Sequence, residues 1–83
     1  FYFGRDNGTE YIKNVGADDK VMLYNINYSD ITGITENGGV INIALNTGSN
    51  LRIDKDSLSD TAQIQLADGN KASGAGLKAL ANS

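Results

Sequence analysis

Apolar and polar residues alternate through the middle of the chain, between Asp30 and Asp54. Strict alternation over four to eight residues is typical of a half-buried strand. The pattern therefore predicts three strands, roughly at 30–36, 39–45 and 50–54. In the middle strand, one set of side chains points to the predicted core and the other away from it: Ile41, Ile43 and Leu45 against Val40, Asn42 and Ala44.

Two polar, glycine-containing turns separate these three strands. They are Glu36-Asn37-Gly38-Gly39 and Asn46-Thr47-Gly48-Ser49. Asn-Gly between alternating runs favours a tight hairpin, because both central residues of a type I′ turn need a positive φ. We expect such a hairpin at the first turn.

The parts of the chain before and after this region also show short predicted strands separated by turns. Further strands are predicted at 1–3, 9–13, 20–25 and 61–67. The strand at 20–25 is apolar on both faces, which predicts burial on two sides. A short helical turn is expected at 27–30, capped by Ser29 or Asp30, and residues 77–83 suit one or two helical turns.

Strands that recur every 8–12 residues predict an all-β fold, here of about seven short strands. The spacing suits a short β-roll or solenoid-like stack, or a β-meander. We expect one module over residues 1–69, divided into 1–25 and 26–69. Residues 70–83 are expected to form a tail or linker that is frayed or briefly helical.

Composition removes several classes of function. The chain has no Cys and no His, so disulfides, thiolate metal sites and an ordinary catalytic triad are excluded. Its net charge of −3 does not favour nucleic acid, and its apolar runs are too short to span a bilayer. Oxygen ligands, which suit calcium, remain. No pair of carboxylates is set apart for catalysis, so we expect no enzymatic activity.

Two acidic, glycine-containing segments in the first half follow a known repeat pattern. Gly8-Thr9-Glu10-Tyr11-Ile12 and Gly16-Ala17-Asp18-Asp19-Lys20-Val21 resemble the RTX (haemolysin-type calcium-binding) nonapeptide G-G-x-G-x-D-x-U-x, where U is a large apolar residue. Glu10 and Asp19 occupy the Asp place, and Ile12 and Val21 the U place. The doubled glycine of the nonapeptide is absent.

The second half resembles the haemolysin-type calcium-binding related domain, which accompanies those repeats. The matching segments are Ile26–Ile31, Gly39–Leu45, Leu51-Arg52-Ile53 and Ile64-Gln65-Leu66-Ala67-Asp68-Gly69. The resemblance covers about residues 1–70. It implies a bacterial protein exported by type I secretion, extracellular or attached to the cell surface, with calcium as its cofactor.

The candidate calcium ligands are acidic side chains of the first two turns and the strand between them: Asp6, Glu10, Asp18 and Asp19. Carboxylates on flexible loops suit calcium, but Asp in a turn is commonly solvated instead. A second acidic run, Asp54, Asp56 and Asp60, lacks the Gly and Glu of an EF-hand loop, because Ser59 and Gln65 stand there. We interpret that run as a polar loop.

The aromatic residues leave a choice between core packing and a sugar-binding face. They are Phe1, Tyr2, Phe3, Tyr11, Tyr24 and Tyr28. Aromatic side chains in small β folds commonly pack the core or stiffen strand pairs. We expect a non-enzymatic structural or adhesin-like module that joins neighbouring modules of the same or identical chains, into a fibre or array through the apolar strand at Phe1–Phe3. The alternative is an accessory domain of a larger secreted enzyme that binds surface glycans or folds with calcium.

Overall fold

Strands make up most of the regular secondary structure, as the alternating pattern predicts. The computed structural model describes residues 1–82, which form eight strands, a 3-10 helix at Tyr28–Asp30 and one α-helix. The elements are β1 (Tyr2–Gly4), β2 (Thr9–Ile12), β3 (Lys20–Tyr24), β4 (Ile31–Asn37), β5 (Val40–Leu45), β6 (Asn50–Asp54), β7 (Gln63–Leu66), β8 (Lys71–Ser73) and α1 (Gly74–Ala81).

The strands form two four-stranded sheets, each with parallel and antiparallel pairs. The first sheet has the order β1-β3-β7-β8, and only the β7–β8 pair is antiparallel. The second sheet has the order β2-β6-β5-β4, and only the β2–β6 pair is parallel. Apart from the β4–β5 hairpin, successive strands from β1 to β7 therefore alternate between the two sheets.

One apolar core is shared by both sheets. Its side chains come from the inward positions of the strands, from the connecting loops and from α1: Phe3, Val15, Val21, Leu23, Ile26, Ile41, Ile43, Leu45, Leu51, Ile53, Leu58, Ala62, Ile64 and Leu77. The predicted alternation in β5 is confirmed, because every second residue of that strand is buried. Fully burying such a side chain is worth about 1.5–3 kcal/mol, so these positions supply most of the stabilising free energy.

The prediction that β3 is buried on both faces is wrong. Val21 and Leu23 lie in the core, but Met22 is half-buried and Tyr24 is 62% exposed. The outer face of the first sheet has no covering element among the described residues, so the second apolar stripe of β3 faces outward beside Tyr2.

The β4–β5 hairpin is present, but its central residues are shifted by one from the predicted Asn-Gly pair. Gly38 and Gly39 lie between the two strands, with φ of 60° and 79°. Two consecutive positive φ values are what a type I′ turn requires, and glycine adopts them without a Cβ penalty. Asn37 closes β4 opposite Val40.

The C-terminal segment is more ordered than a frayed tail. Residues 71–73 add β8, an eighth strand that the sequence pattern does not predict, and the predicted brief helix starts at Gly74. The Ser73 hydroxyl accepts a hydrogen bond from the Gly76 N–H, which caps the helix. Leu77 is 2% exposed and fixes α1 to the core. Ser83, the end of the predicted tail, lies outside the described residues.

Two aspartates hold the predicted helical turn at Tyr28–Asp30. Asn27 caps it, in place of the predicted Ser29 or Asp30, and its N–H donates to Asp30 Oδ2 over 2.9 Å. The Tyr28 N–H donates to Asp68 Oδ2 over 2.9 Å. Hydrogen bonds to the ionised carboxylate lower the pKa of both Asp30 and Asp68, with backbone donors as the largest cause. The turn after β7 thus fixes the corner before β4.

The substitution Gly74→Ala tests the docking of α1. A Cβ at Gly74 would lie 1.8 Å from the Ser59 carbonyl oxygen, so the backbone must move. We expect a cost of about 1–3 kcal/mol and a Tm lower by roughly 5–20 °C in thermal denaturation. The control is Gly33→Ala, whose Cβ would meet no atom within 4 Å. It should leave stability within about 1 kcal/mol of the parent chain; equal losses would contradict this account of α1.

The variant Asp68→Asn tests the corner through its pH dependence. Because folding lowers the pKa of Asp68 from its ordinary value of 3.8, its contribution is present above that pH and is lost as the pH falls through the lower folded value. We expect a lower Tm for the variant at pH 7 and convergence with the parent chain in strong acid. The control Asp56→Asn removes the same charge from an exposed position and should leave the Tm at pH 7 close to that of the parent chain. A pH-independent difference for Asp68→Asn would contradict the assignment.

Candidate functional site

The four predicted calcium ligands do not converge on one site. Asp6 follows the C-terminal end of β1, whereas Asp18 and Asp19 precede the N-terminal end of β3. Because β1 and β3 are parallel neighbours, these positions lie at opposite ends of the first sheet. Glu10 lies within β2, on the other sheet. All four side chains are exposed.

Hydrogen bonds connect the first pair of neighbouring turns, where an RTX-like calcium site would need ligands. The β1–β2 turn lies beside the β5–β6 turn. Ser49 is 5% exposed, and its Oγ accepts from the Gly8 N–H over 3.1 Å. The Thr47 hydroxyl donates to the Arg5 carbonyl oxygen. Two hydroxyl side chains thus satisfy backbone groups between these turns.

The second pair of neighbouring turns is joined in the same way. Ser57 Oγ accepts from the Asn14 N–H over 2.9 Å and donates to Asp54 Oδ2 over 2.6 Å. The Ser59 N–H donates to the Val15 carbonyl oxygen over 2.8 Å. On the first of these loops, the Asp19 carboxylate accepts from the Gly16 N–H over 2.8 Å, so it shapes its own turn.

The acidic side chains near these turns are engaged in separate hydrogen bonds and ion pairs. No group of three or more Asp or Glu side chains in residues 1–82 is close enough together to hold a metal ion. In the run after β6, Asp54 accepts from Ser57 and from the Tyr11 hydroxyl, and Asp60 pairs with Lys78 Nζ at 2.9 Å. These carboxylates therefore organise loops and anchor α1.

The aromatic residues do not form one platform. Phe3 is buried in the core, whereas Tyr2 and Tyr24 lie on the outer face of the first sheet and are 73% and 62% exposed. Tyr11 lies on the second sheet. Tyr28 is exposed at the 3-10 helix. The aromatic residues therefore do not share one surface.

A polar cleft of about 610 Å³ lies on the second sheet. This volume is within the usual range for small-ligand sites. The side chains that line it come from all four strands: Thr9, Glu10, Tyr11, Thr35, Asn37, Val40, Asn42 and Arg52. We call this feature the second-sheet cleft.

Paired strand positions build the floor of the second-sheet cleft. Tyr11 is opposite Arg52, Arg52 is opposite Asn42, and Asn42 is opposite Thr35. Residues in register on neighbouring strands point to the same face, so these four side chains form one row across the sheet. Arg52 Nε donates to Asn42 Oδ1 over 3.4 Å, and Asn42 Nδ2 donates to Asn50 Oδ1 over 3.1 Å.

Tyr11 is held at one edge of the cleft. Its hydroxyl donates to Asp54 Oδ1 over 3.2 Å, and Lys13 Nζ lies 5.3 Å from the ring centroid. Partial desolvation, followed by the neighbouring Asp54 charge, raises the pKa of Tyr11. Hydrogen bonds, first from the Ser57 hydroxyl, lower the pKa of Asp54. The tyrosine is thus kept protonated as a donor and the aspartate ionised as an acceptor.

Tyr11 and Glu10 are among the candidate residues predicted from the sequence, whereas Arg52, Asn42 and Thr35 are not. The outward direction of Arg52 could be predicted from the sequence. Arg52 lies between Leu51 and Ile53, two apolar residues of a predicted strand, so its side chain must point outward. Its partners depend on which strands lie beside β6. Alternation alone does not give that information.

Comparison with protein-family models, curated proteins and solved structures finds no match to this chain. Among residues 1–82, the single α-helix has eight residues, and no helix has the length and apolar character needed to cross a membrane.

We expect calcium to leave the thermal midpoint of the chain unchanged. A single site saturated at a hundredfold excess over its Kd would add about 2.7 kcal/mol, or roughly 10–20 °C for a domain of this size. Thermal denaturation in calcium and in chelator measures the difference, with magnesium as the ionic control. A rise of that size specific to calcium, and lost in Asp19→Asn, would contradict the conclusion that the four carboxylates form no common site.

Proposed function

We propose that this chain is a non-enzymatic structural module of a secreted or cell-surface bacterial protein of the RTX type, and that it joins end to end with neighbouring modules. The extracellular location and the RTX relationship rest on the sequence resemblance. The assembly role rests on one structural observation, which is that β1 and β2, the first strands of the two sheets, are both edge strands at the same end of the fold.

The course of the chain supports a short β-roll-like architecture for this module. In such a coil, strands alternate between two sheets and pair in parallel with the strand one coil away. The pairs β1–β3, β3–β7 and β2–β6 follow this rule. The β4–β5 hairpin is an antiparallel insertion within the second sheet.

The edges of β1 and β2 define what we call the open end. The Phe1 carbonyl oxygen accepts from the Met22 N–H, and the Gly8 carbonyl oxygen accepts from the Asn50 N–H. Alternate residues of a parallel strand bond the same neighbour. The outward backbone groups are therefore those of Tyr2 on β1 and of Thr9 and Tyr11 on β2.

The open end lacks the usual protection of an edge strand. Residues 1–4 carry no charged side chain, and Phe1 and Tyr2 are 47% and 73% exposed. Native edge strands are normally blunted by charge, proline or a covering element. An uncharged edge with exposed aromatic rings suits pairing with another strand, which supplies both hydrogen bonds and apolar burial.

The opposite end of the module differs from the open end. There α1 packs against β4 and β8, which are the edge strands opposite β2 and β1 in their sheets. We call it the helix end. Two copies that meet open end to open end form a closed pair, whereas a fibre would require the helix end to pair as well. The proposal therefore places the contact between modules at the open end, where a second copy pairs with β1 and β2.

The proposal includes no reaction and no calcium site made by Asp6, Glu10, Asp18 and Asp19 together. A second candidate function, carbohydrate binding, is favoured by one observation. The second-sheet cleft combines an aromatic ring, a guanidinium group and amide side chains, which are groups that bind sugar hydroxyl and carboxylate groups.

End-to-end pairing is tested by light scattering over a range of protein concentrations. We expect the mass to rise toward twice that of the monomer, and the double variant Tyr2→Lys, Thr9→Lys to remain monomeric because charge at both edges opposes strand addition. The matched control, Gln63→Lys with Ala79→Lys, adds the same charge at exposed positions outside the open end. It should pair like the parent chain.

A parent chain that stays monomeric at high concentration, both with calcium and with chelator, would contradict self-association. Equal loss of pairing in the two double variants would show that net charge controls association, and would contradict the role of the open end. Far-ultraviolet circular dichroism of every variant establishes that its fold is retained.

A further inference from the structure

We infer that the second-sheet cleft binds an acidic oligosaccharide, with Arg52 contacting a uronate carboxylate and Tyr11 packing against a sugar ring. This inference develops the second candidate function. It is independent of end-to-end pairing, because it rests on outward side chains of the sheet and pairing rests on backbone edges.

The row Tyr11–Arg52–Asn42–Thr35 gives the cleft an extended shape. These residues are aligned across four strands spaced about 4.8 Å apart, so the row spans roughly 14 Å. A row of this length, open to solvent along one face, suits a linear ligand that contacts several side chains in turn. The neighbouring pair of positions on β4 and β5 is Gly33 and Ala44. Because both residues are small, they leave space above the sheet beside this row.

Arg52 is positioned by a hydrogen bond to an amide, and its charge is not paired with a carboxylate. Its Nε donates to Asn42, which bonds Asn50, and Asn50 Nδ2 bonds the Gly48 carbonyl oxygen at 3.2 Å. Within residues 1–82, Arg5, Lys55 and Lys78 form ion pairs and Arg52 forms none. A guanidinium group fixed through Nε has its terminal nitrogens available for a bidentate carboxylate.

Two acidic and two basic side chains lie on or beside the cleft, so the proposal relies on the unpaired guanidinium of Arg52 and not on a net positive field. Asp54 already accepts hydrogen bonds from Tyr11 and Ser57. Glu10 lines the cleft with an exposed side chain. Lys13 adds a second positive charge beside the Tyr11 ring.

Tyr11 provides the surface that distinguishes a sugar from a simple anion. Tyr11 is 47% exposed, its hydroxyl donates to Asp54, and Lys13 Nζ lies over one side of the ring, which leaves the other side for a ligand. An aromatic ring fixed at its polar end offers an apolar face for the C–H groups of a sugar ring. The combination of Arg52 with Tyr11 therefore selects a carboxylate joined to a pyranose ring.

The test is a titration of the isotope-labelled chain, followed by two-dimensional nuclear magnetic resonance, with a galacturonate hexasaccharide and with a neutral β-1,4-linked glucose hexasaccharide. We expect saturable shifts for the uronate on β2, β5 and β6, with at least tenfold weaker binding of the neutral sugar. Arg52→Gln and Tyr11→Ala should each weaken uronate binding at least tenfold. Arg52→Lys, which keeps the charge but loses the planar fork, should give an intermediate affinity.

The matched control is Arg5→Gln, because Arg5 pairs with Asp30 and does not line the cleft. It should bind the uronate like the parent chain. Equal weakening in Arg5→Gln and Arg52→Gln, shifts centred on Tyr2 and Tyr24, equal affinity for the neutral sugar, or no saturation below about 10 mM would each overturn the inference.

Failure of this inference is distinguishable from failure of end-to-end pairing. The variant Tyr2→Lys changes the β1 edge and leaves every residue that lines the cleft in place, and Arg52→Gln removes the guanidinium without touching β1. Light scattering on Arg52→Gln should therefore match the parent chain, and Tyr2→Lys should still bind the uronate.

Discussion

The fold depends on parallel strand pairs held in register by hydrogen bonds between neighbouring turns. Parallel neighbours cannot be joined by a tight hairpin, so each pair must be brought together across an intervening strand of the other sheet. The Ser49–Gly8 and Ser57–Asn14 contacts fix the turns at both ends of the β2–β6 pair. Once the turns are aligned, the inward side chains of both sheets meet in one core. Serine hydroxyl groups thus cross-link neighbouring turns of this fold.

Much of the strand content follows from the sequence, because alternation is a local property. The burial of Ile41, Ile43 and Leu45, and the hairpin that precedes them, can be predicted from spacing and turn chemistry alone. The one-residue shift to Gly38-Gly39 has a physical reason. Two adjacent glycines accept positive φ with less strain than Asn37 followed by glycine, so the turn settles on the glycine pair.

Other features depend on contacts between distant residues, which local patterns do not encode. Alternation shows that Arg52 points outward, but the neighbours Tyr11 and Asn42 follow only from the order of strands in the sheet. β8 is short and polar at its start, and it forms because β7 offers a partner. The four acidic candidates share a composition suited to calcium, yet parallel pairing of β1 and β3 separates Asp6 from Asp19.

The proposed strand addition and the proposed ligand binding use different parts of the sheets. Strand addition at the open end uses backbone groups in the plane of the sheets, whereas Arg52 and Tyr11 project from the face of the second sheet. A strand added beside β2 would lengthen that face and continue the row beyond Tyr11. The proposed pairing and the proposed ligand binding therefore use different groups of β2, its outward backbone groups and its outward side chains. At the other end of the sheets, α1 packs against β4 and β8 with Leu77 in the core, so the two ends of the module differ.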